Sequence, residues 1–103
     1  MPTEREKFLA RLQELYSENV EISRKKNSDY TSAADPFQNF RVSSMYGIPV
    51  DKAILVRMSD KLQRISVLLN KEPDVVEESI KDTCSDLANY AMILRMWVER
   101  QEG

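Results

Sequence analysis

At 103 residues and 12.0 kDa, with 42% hydrophobic and 31% charged residues, the chain has the composition of one soluble globular domain and is too short for a catalytic domain plus a separate regulatory one. Two glycines and four prolines are too few turn residues for a many-stranded sandwich or barrel, and no glycine-rich loop is present to cradle a phosphate, so the predicted fold class is all-α. A balance of 15 basic against 17 acidic residues gives no overall field for duplex nucleic acid, and the absence of histidine removes Ser/Cys-His triads and nearly all zinc sites, leaving only a hard, oxygen-bound metal as a possibility.

Thr3 followed by Glu6 has the spacing of a capping box, and Phe8, Leu9, Leu12, Leu15, Tyr16 and Val20 recur at helical spacing, predicting a first helix over about 3–25. Arg24, Lys25 and Lys26 close it where the helix dipole favours cations, which accounts for the cluster without a ligand. Over 27–50 no period holds. That stretch carries Tyr30, Phe37, Phe40 and Tyr46, half of the aromatic residues, and is read as an ordered loop with a short helix near Phe37 to Ser44.

Asp51 can cap the next helix, about 51–70, with Ile54, Met58, Leu62, Ile65 and Leu69 on one stripe and Arg57, Asp60, Lys61 and Arg64 on a charged stripe beside it. After Pro73 a last helix, about 74–100, shows Val76, Ile80, Thr83, Leu87, Ala91, Leu94 and Val98 on its apolar face, with Tyr90 and Trp97 at the margin. Cys84, the single cysteine, reads as a small buried hydrophobe, Tyr16 and Tyr90 as core-margin tyrosines, and the lack of any disulfide suits a reducing compartment. No apolar run of spanning or signal-peptide length occurs, so the expectation is a cytoplasmic protein, in the host cytoplasm if viral, without a membrane partner. The whole, 1–103, is expected to be one helical domain of three main helices. Its apolar tip, Ile93, Leu94, Met96, Trp97 and Val98, is expected to overhang the preceding helix and to draw the chain into a homo-oligomer.

Glu78, Asp82 and Asp86 recur every four residues, with Asn89 three further on, so one helix face carries like charges that repel unless something positive lies opposite. Three answers fit. Lys61 and Arg64 can form interhelical salt bridges with that face. Mg²⁺ can bind its oxygens, and Asp60, Glu78, Asp82 and Asp86 are then the candidate ligands. Or the cations can hold an anionic ligand without chemistry, arginine being the usual choice for bidentate phosphate recognition. Tyr30, Phe37 and Phe40 can stack on a nucleobase or anchor the loop on the helices, the second being the more common use of such residues.

Five motifs in order then bear a resemblance: Lys26-Asn27-Ser28-Asp29-Tyr30, Asp35-Pro36-Phe37-Gln38-Asn39-Phe40-Arg41, Arg57-Met58-Ser59-Asp60-Lys61-Leu62-Gln63-Arg64, Glu78-Ser79-Ile80-Lys81-Asp82-Thr83, and Asp86-Leu87-Ala88-Asn89-Tyr90. Over about Lys25 to Tyr90 the chain resembles the small helical phage and bacterial proteins grouped as nucleotide-modification-associated domain one. More distantly it is similar to the all-α nucleoside triphosphate pyrophosphohydrolases of the MazG and dimeric dUTPase type, which bind Mg²⁺ through Glu-Glu-x-x-Glu and Glu-x-x-Asp motifs on successive helices. Here Glu77-Glu78 is followed by Lys81, and no later Glu-x-x-Asp appears.

The resemblance implies a nucleotide or nucleotide-derived small molecule as partner. The candidate ligand-binding residues are Lys26, Asn27, Asp29, Tyr30, Phe37, Asn39, Arg41, Arg57, Lys61 and Arg64, set between the last two helices and covered by the loop. Binding without turnover, as in the small oligomeric phage sponges that sequester immune signalling nucleotides, is the expected function. Mg²⁺-dependent pyrophosphohydrolysis is the alternative, and a structural helical oligomer the third.

Overall fold

The computed structural model describes residues 1–30, 35–70 and 73–102, without the side chains of 29, 30, 73–78 and 102. Among the described residues the regular elements are helical: α1 (Glu4–Tyr30), α2 (Gln38–Arg41), a 3-10 turn (Val42–Tyr46), α3 (Val50–Leu68) and α4 (Pro73–Glu102). The chain divides into two compact units, 1–36 and 37–103.

In the first unit the Thr3 hydroxyl oxygen accepts a hydrogen bond from the Glu6 amide at 3.1 Å, and the Thr3 carbonyl accepts from Lys7 at 3.0 Å. This is the N-terminal half of the capping pattern read from the sequence. Three pairs at i,i+3 spacing, Glu4 with Lys7, Arg11 with Glu14 and Glu21 with Arg24, each add a few tenths of a kcal/mol, roughly 0.2–0.5. With that support α1 continues to Tyr30, past the cationic cluster where the sequence predicts its end. Its apolar residues Phe8, Leu9, Leu12, Leu15, Tyr16, Val20 and Ile22 are exposed, so Tyr16 does not sit at a core margin.

The second unit is built on the seam between α3 and α4, which residues 69–72 connect. Its core is Phe37, Phe40, Val50, Ala53 and the fully buried Ile54, against which Met58, Tyr90, Ile93, Leu94 and Trp97 pack. The Phe37 carbonyl accepts from the amides of Phe40 and Arg41 at 2.9 and 3.2 Å, which coils the segment so that both phenylalanines face the seam. Phe37 meets Trp97 edge-on, centroids 5.1 Å apart at 67°, and Phe40 meets Tyr90 at 6.2 Å and 80°.

The 3-10 turn is then stopped by Gly47 at φ 77°. Its amide donates to the Ser44 carbonyl and that of Ile48 to the Ser43 carbonyl, the double bond of a Schellman ending, which a glycine adopts without a Cβ penalty.

Four sequence expectations are corrected here. The α3 residues withdrawn from solvent after Ile54 are Met58, Lys61, Ile65 and Leu68, while Leu62 and Leu69 are 57% and 67% exposed. The buried stripe therefore passes through a lysine, because Lys61 has a carboxylate to meet across the seam and its stem can lie along apolar surface. Asp51 is not the cap. Pro49, at φ −67° and ψ 158°, precedes the helix and its carbonyl receives the Ala53 amide, while Asp51 lies in the first turn and accepts from Lys52 at 2.8 Å.

Cys84 is exposed, since the core-facing position next to it is taken by Thr83, which is 3% exposed and donates its hydroxyl proton to the Ser79 carbonyl at 2.6 Å. Finally, Trp97 does not stand on an uncovered overhang, because Phe37 covers it; Met96 and Val98 remain exposed beside it, and the Val76 side chain lies outside the described ones.

The two versions of the α3 stripe predict opposite outcomes for two substitutions. Ile54→Ala should cost about 2–5 kcal/mol of unfolding free energy, the range for emptying a fully packed aliphatic site. Leu62→Ala should stay within about 0.5 kcal/mol. Denaturant unfolding followed by circular dichroism measures both, and equal costs would restore the stripe through Leu62.

Candidate functional site

The seam has two chemically different halves. Toward the N-terminus of α3 it is aromatic and aliphatic, and toward α3's C-terminus polar groups, Lys61 on α3 and Thr83 and Asp86 on α4, stand among the half-buried Ile65, Leu68, Ile80 and Leu87; this stretch is termed the polar half. Lys61 Nζ lies 3.2 Å from Asp86 Oδ2, with the two side chains 27% and 22% exposed. Of the three answers to the acidic face of α4, an interhelical salt bridge is thus the one present at Asp86.

On either side of this bridge along α3 stand Arg57 and Arg64, both exposed. Among the described residues neither guanidinium has an ion pair, hydrogen bond or ring contact. Asp60 on α3 and Asp82 on α4 are likewise exposed and hold no cation among those residues. The surface around the Lys61 bridge therefore offers two guanidiniums, which suit the oxygens of a phosphate, and two carboxylates, which can accept hydrogen bonds from hydroxyl or amino groups.

For the Mg²⁺ ligand set the placement is uneven. Asp86 is engaged by Lys61, Asp60 and Asp82 are exposed, and the Glu78 side chain lies outside the described residues. Among the described residues no group of three or more His, Cys, Asp or Glu side chains is placed to hold a metal ion.

Of the remaining predicted residues, Phe37, Asn39 and Arg41 belong to the second unit and Lys26, Asn27, Asp29 and Tyr30 to the first. Phe37, 7% exposed, is a core anchor with Trp97 at its edge and the Arg100 guanidinium 5.2 Å from its centroid, so it has no open face for a base. Arg41 lies over the Trp97 ring at 5.1 Å, and Asn39 is exposed on α2. In the first unit Lys26 is exposed on α1 and the Asn27 side-chain amide donates to the Pro36 carbonyl at 2.9 Å. The Asp29 and Tyr30 side chains lie outside the described residues. Sequence reasoning did not single out Arg100, whereas Thr83, which it placed on the apolar face of the last helix, is buried there. Arg100 falls near the C-terminus of a helix, where cations need no other reason.

With this arrangement in view, comparison with known proteins gives one result. Residues 26–96 match the family described as nucleotide modification associated domain 1. The chain belongs to that family. The match covers α2, α3 and all but the end of α4, so the seam with its polar half is family structure, whereas most of α1 precedes it. No curated protein and no solved structure matches the chain. Among the described residues no helix is long and apolar enough to cross a membrane.

The Lys61–Asp86 bridge is only partly screened, so it should be worth more than the surface norm of below about 1 kcal/mol and less than a fully buried pair. Asp86→Ala should lower stability by about 1–3 kcal/mol, with Arg57→Ala and Arg64→Ala within about 0.5 kcal/mol. A double-mutant cycle of Lys61→Met with Asp86→Ala measures the pair itself, and zero coupling would remove the bridge from the account.

Proposed function

We propose that this family member binds a nucleotide or nucleotide-derived small molecule on the polar half of the α3–α4 seam and holds it without turnover. The observation that supports this most directly is the pair of exposed guanidiniums, Arg57 and Arg64, flanking the Lys61–Asp86 bridge without partners among the described residues. Exposed arginines spaced by two helical turns on a rigid element can grip phosphate oxygens at both ends of a di- or triphosphate, and their planar forks match that geometry better than lysine would. Helix α3 itself fixes their spacing, and Asp86 neutralises the Lys61 that stands between them, so ligand charge is read by the arginines. Asp60 and Asp82 then accept hydrogen bonds from ribose hydroxyls or base amino groups.

The family's description, with its reference to nucleotide modification, supports the ligand class and leaves the nucleotide open. Binding is preferred over pyrophosphohydrolysis because the acidic face of α4 spends Asp86 on a lysine. Mg²⁺ takes one or two protein carboxylates along with substrate phosphates, so Asp60 and Asp82 are the described side chains with which a metal-nucleotide complex would engage.

Thermal denaturation with a panel of nucleoside mono-, di- and triphosphates and cyclic dinucleotides, with and without Mg²⁺, tests the reading. A ligand that binds only the folded state raises the apparent melting temperature by mass action. At least one member of the panel should do so without being consumed, and Arg57→Ala with Arg64→Ala should abolish the rise while leaving the free protein's melting temperature nearly unchanged. Metal-dependent release of pyrophosphate would replace the binding reading by the hydrolytic one. No stabilisation by any member would end both.

A further inference from the structure

Helix α1 carries an apolar stripe that is exposed along its length. From Phe8 the spacing is 4, 3, 4 and 3, giving Phe8, Leu12, Leu15, Asn19 and Ile22, with Leu9 and Tyr16 along one flank. That is the seam of a two-stranded helical pair. Every one of its apolar members is exposed, from 38% at Leu12 to 66% at Phe8. A 27-residue helix of this kind derives most of its stability from burying such a face.

We propose that α1 pairs antiparallel with α1 of a second copy of this chain, with Leu12 against the partner's Leu15 and the reverse at the centre of the contact. Charge selects this register. In an antiparallel pair the residues preceding each a position face one another across the seam, and in α1 these are Glu4, Arg11, Glu18 and Lys25. With Leu12 opposite Leu15, Arg11 faces Glu18 and Glu4 faces Lys25, both favourable and each made twice by the symmetry. A shift of one heptad either way sets Glu18 against an acidic residue and Arg11 against a basic one. The opposite flank of the same register brings Leu9 to Tyr16, apolar against apolar.

A parallel pair has none of this. Arg11 would face Tyr16, Glu18 would face Ser23, and Arg5 and Lys26 would each meet their own copies in the seam. Within one helix Arg11 already lies 3.7 Å from Glu18 on this flank, so the symmetric contact would complete a four-residue alternating cluster from side chains held close together beforehand. The inference is independent of the nucleotide reading, since it concerns a helix that lies mostly ahead of the family segment.

Sedimentation equilibrium of the full chain should give a dimer. Leu12→Asp and Leu15→Asp should each raise the dissociation constant at least 100-fold while the near-ultraviolet signal of Trp97 is retained, showing that α3 and α4 stay folded. Arg11→Glu and Glu18→Arg should each weaken the dimer about tenfold, and the two together should restore it. For orientation, a spin label on Glu6→Cys in a Cys84→Ser background should report label separations above about 20 Å, because the two sites lie near opposite ends of an antiparallel pair. A monomer at all concentrations, a dimer indifferent to Leu12→Asp and Leu15→Asp, failure of the charge swap to restore association, or short label distances would each overturn the proposal.

Discussion

The insertion of Phe37 and Phe40 between α3 and α4 is the interaction on which the second unit depends. Each ring lies against an aromatic of α4, Phe37 on Trp97 and Phe40 on Tyr90, both edge-to-face. Beyond area burial, such pairs add about 0.5–1.5 kcal/mol each. Arg41 over Trp97 and Arg100 over Phe37 continue the stack outward to solvent, with cation–π contacts of about 0.5–1 kcal/mol at exposed sites. Two helices alone cannot enclose a core, and here the missing layer is supplied by Phe37, which caps α2, and by Phe40 within it.

Because this apolar closure is concentrated at one end, the other end of the seam is free to be polar. Lys61 and Asp86 meet there in the position that a leucine pair would occupy in a uniformly apolar seam, and Thr83 closes its hydroxyl onto its own helix. Such a bridge adds less stability than hydrophobic packing would, but it fixes how the two helices are set along each other. Arg57 and Arg64 stand on either side of the bridge because they lie on α3 with Lys61, one turn before it and one turn after it. Aromatic packing and the Lys61–Asp86 bridge with its flanking arginines thus occupy different stretches of one interface, and a substitution can disturb one without the other.

The all-helical class was legible from glycine and proline counts and from helical periods, and the family from motifs spread over 26–96. The details that escaped share a physical cause. At α3 the sequence offers two apolar series one residue apart, through Leu62 and Leu69 or through Leu68 with Lys61. Only knowledge of Asp86 opposite decides for the lysine, which a local pattern cannot contain. The same holds for Trp97, whose cover comes from Phe37, sixty residues away in the chain, and for Phe37 itself, whose aromatic ring fits a core anchor and a base platform equally well until its partner is known. Cys84 and Thr83 are neighbours of similar size, and the helix phase that buries the threonine was one step from the phase that would bury the cysteine. The polar half of the seam was legible as charged stripes, but which carboxylate was already neutralised was not.

The central claim is that ligand binding belongs to the polar half of the seam while the aromatic half only builds it. Titration of isotope-labelled protein with a nucleotide that stabilises it, followed by amide chemical shifts, addresses this directly. The account predicts shifts concentrated at about residues 57–64 and 79–89, with the Trp97 indole and the backbone of Phe37 and Phe40 unmoved. Perturbations centred on Phe37, Phe40 and Trp97, with Arg57 and Arg64 silent, would contradict it.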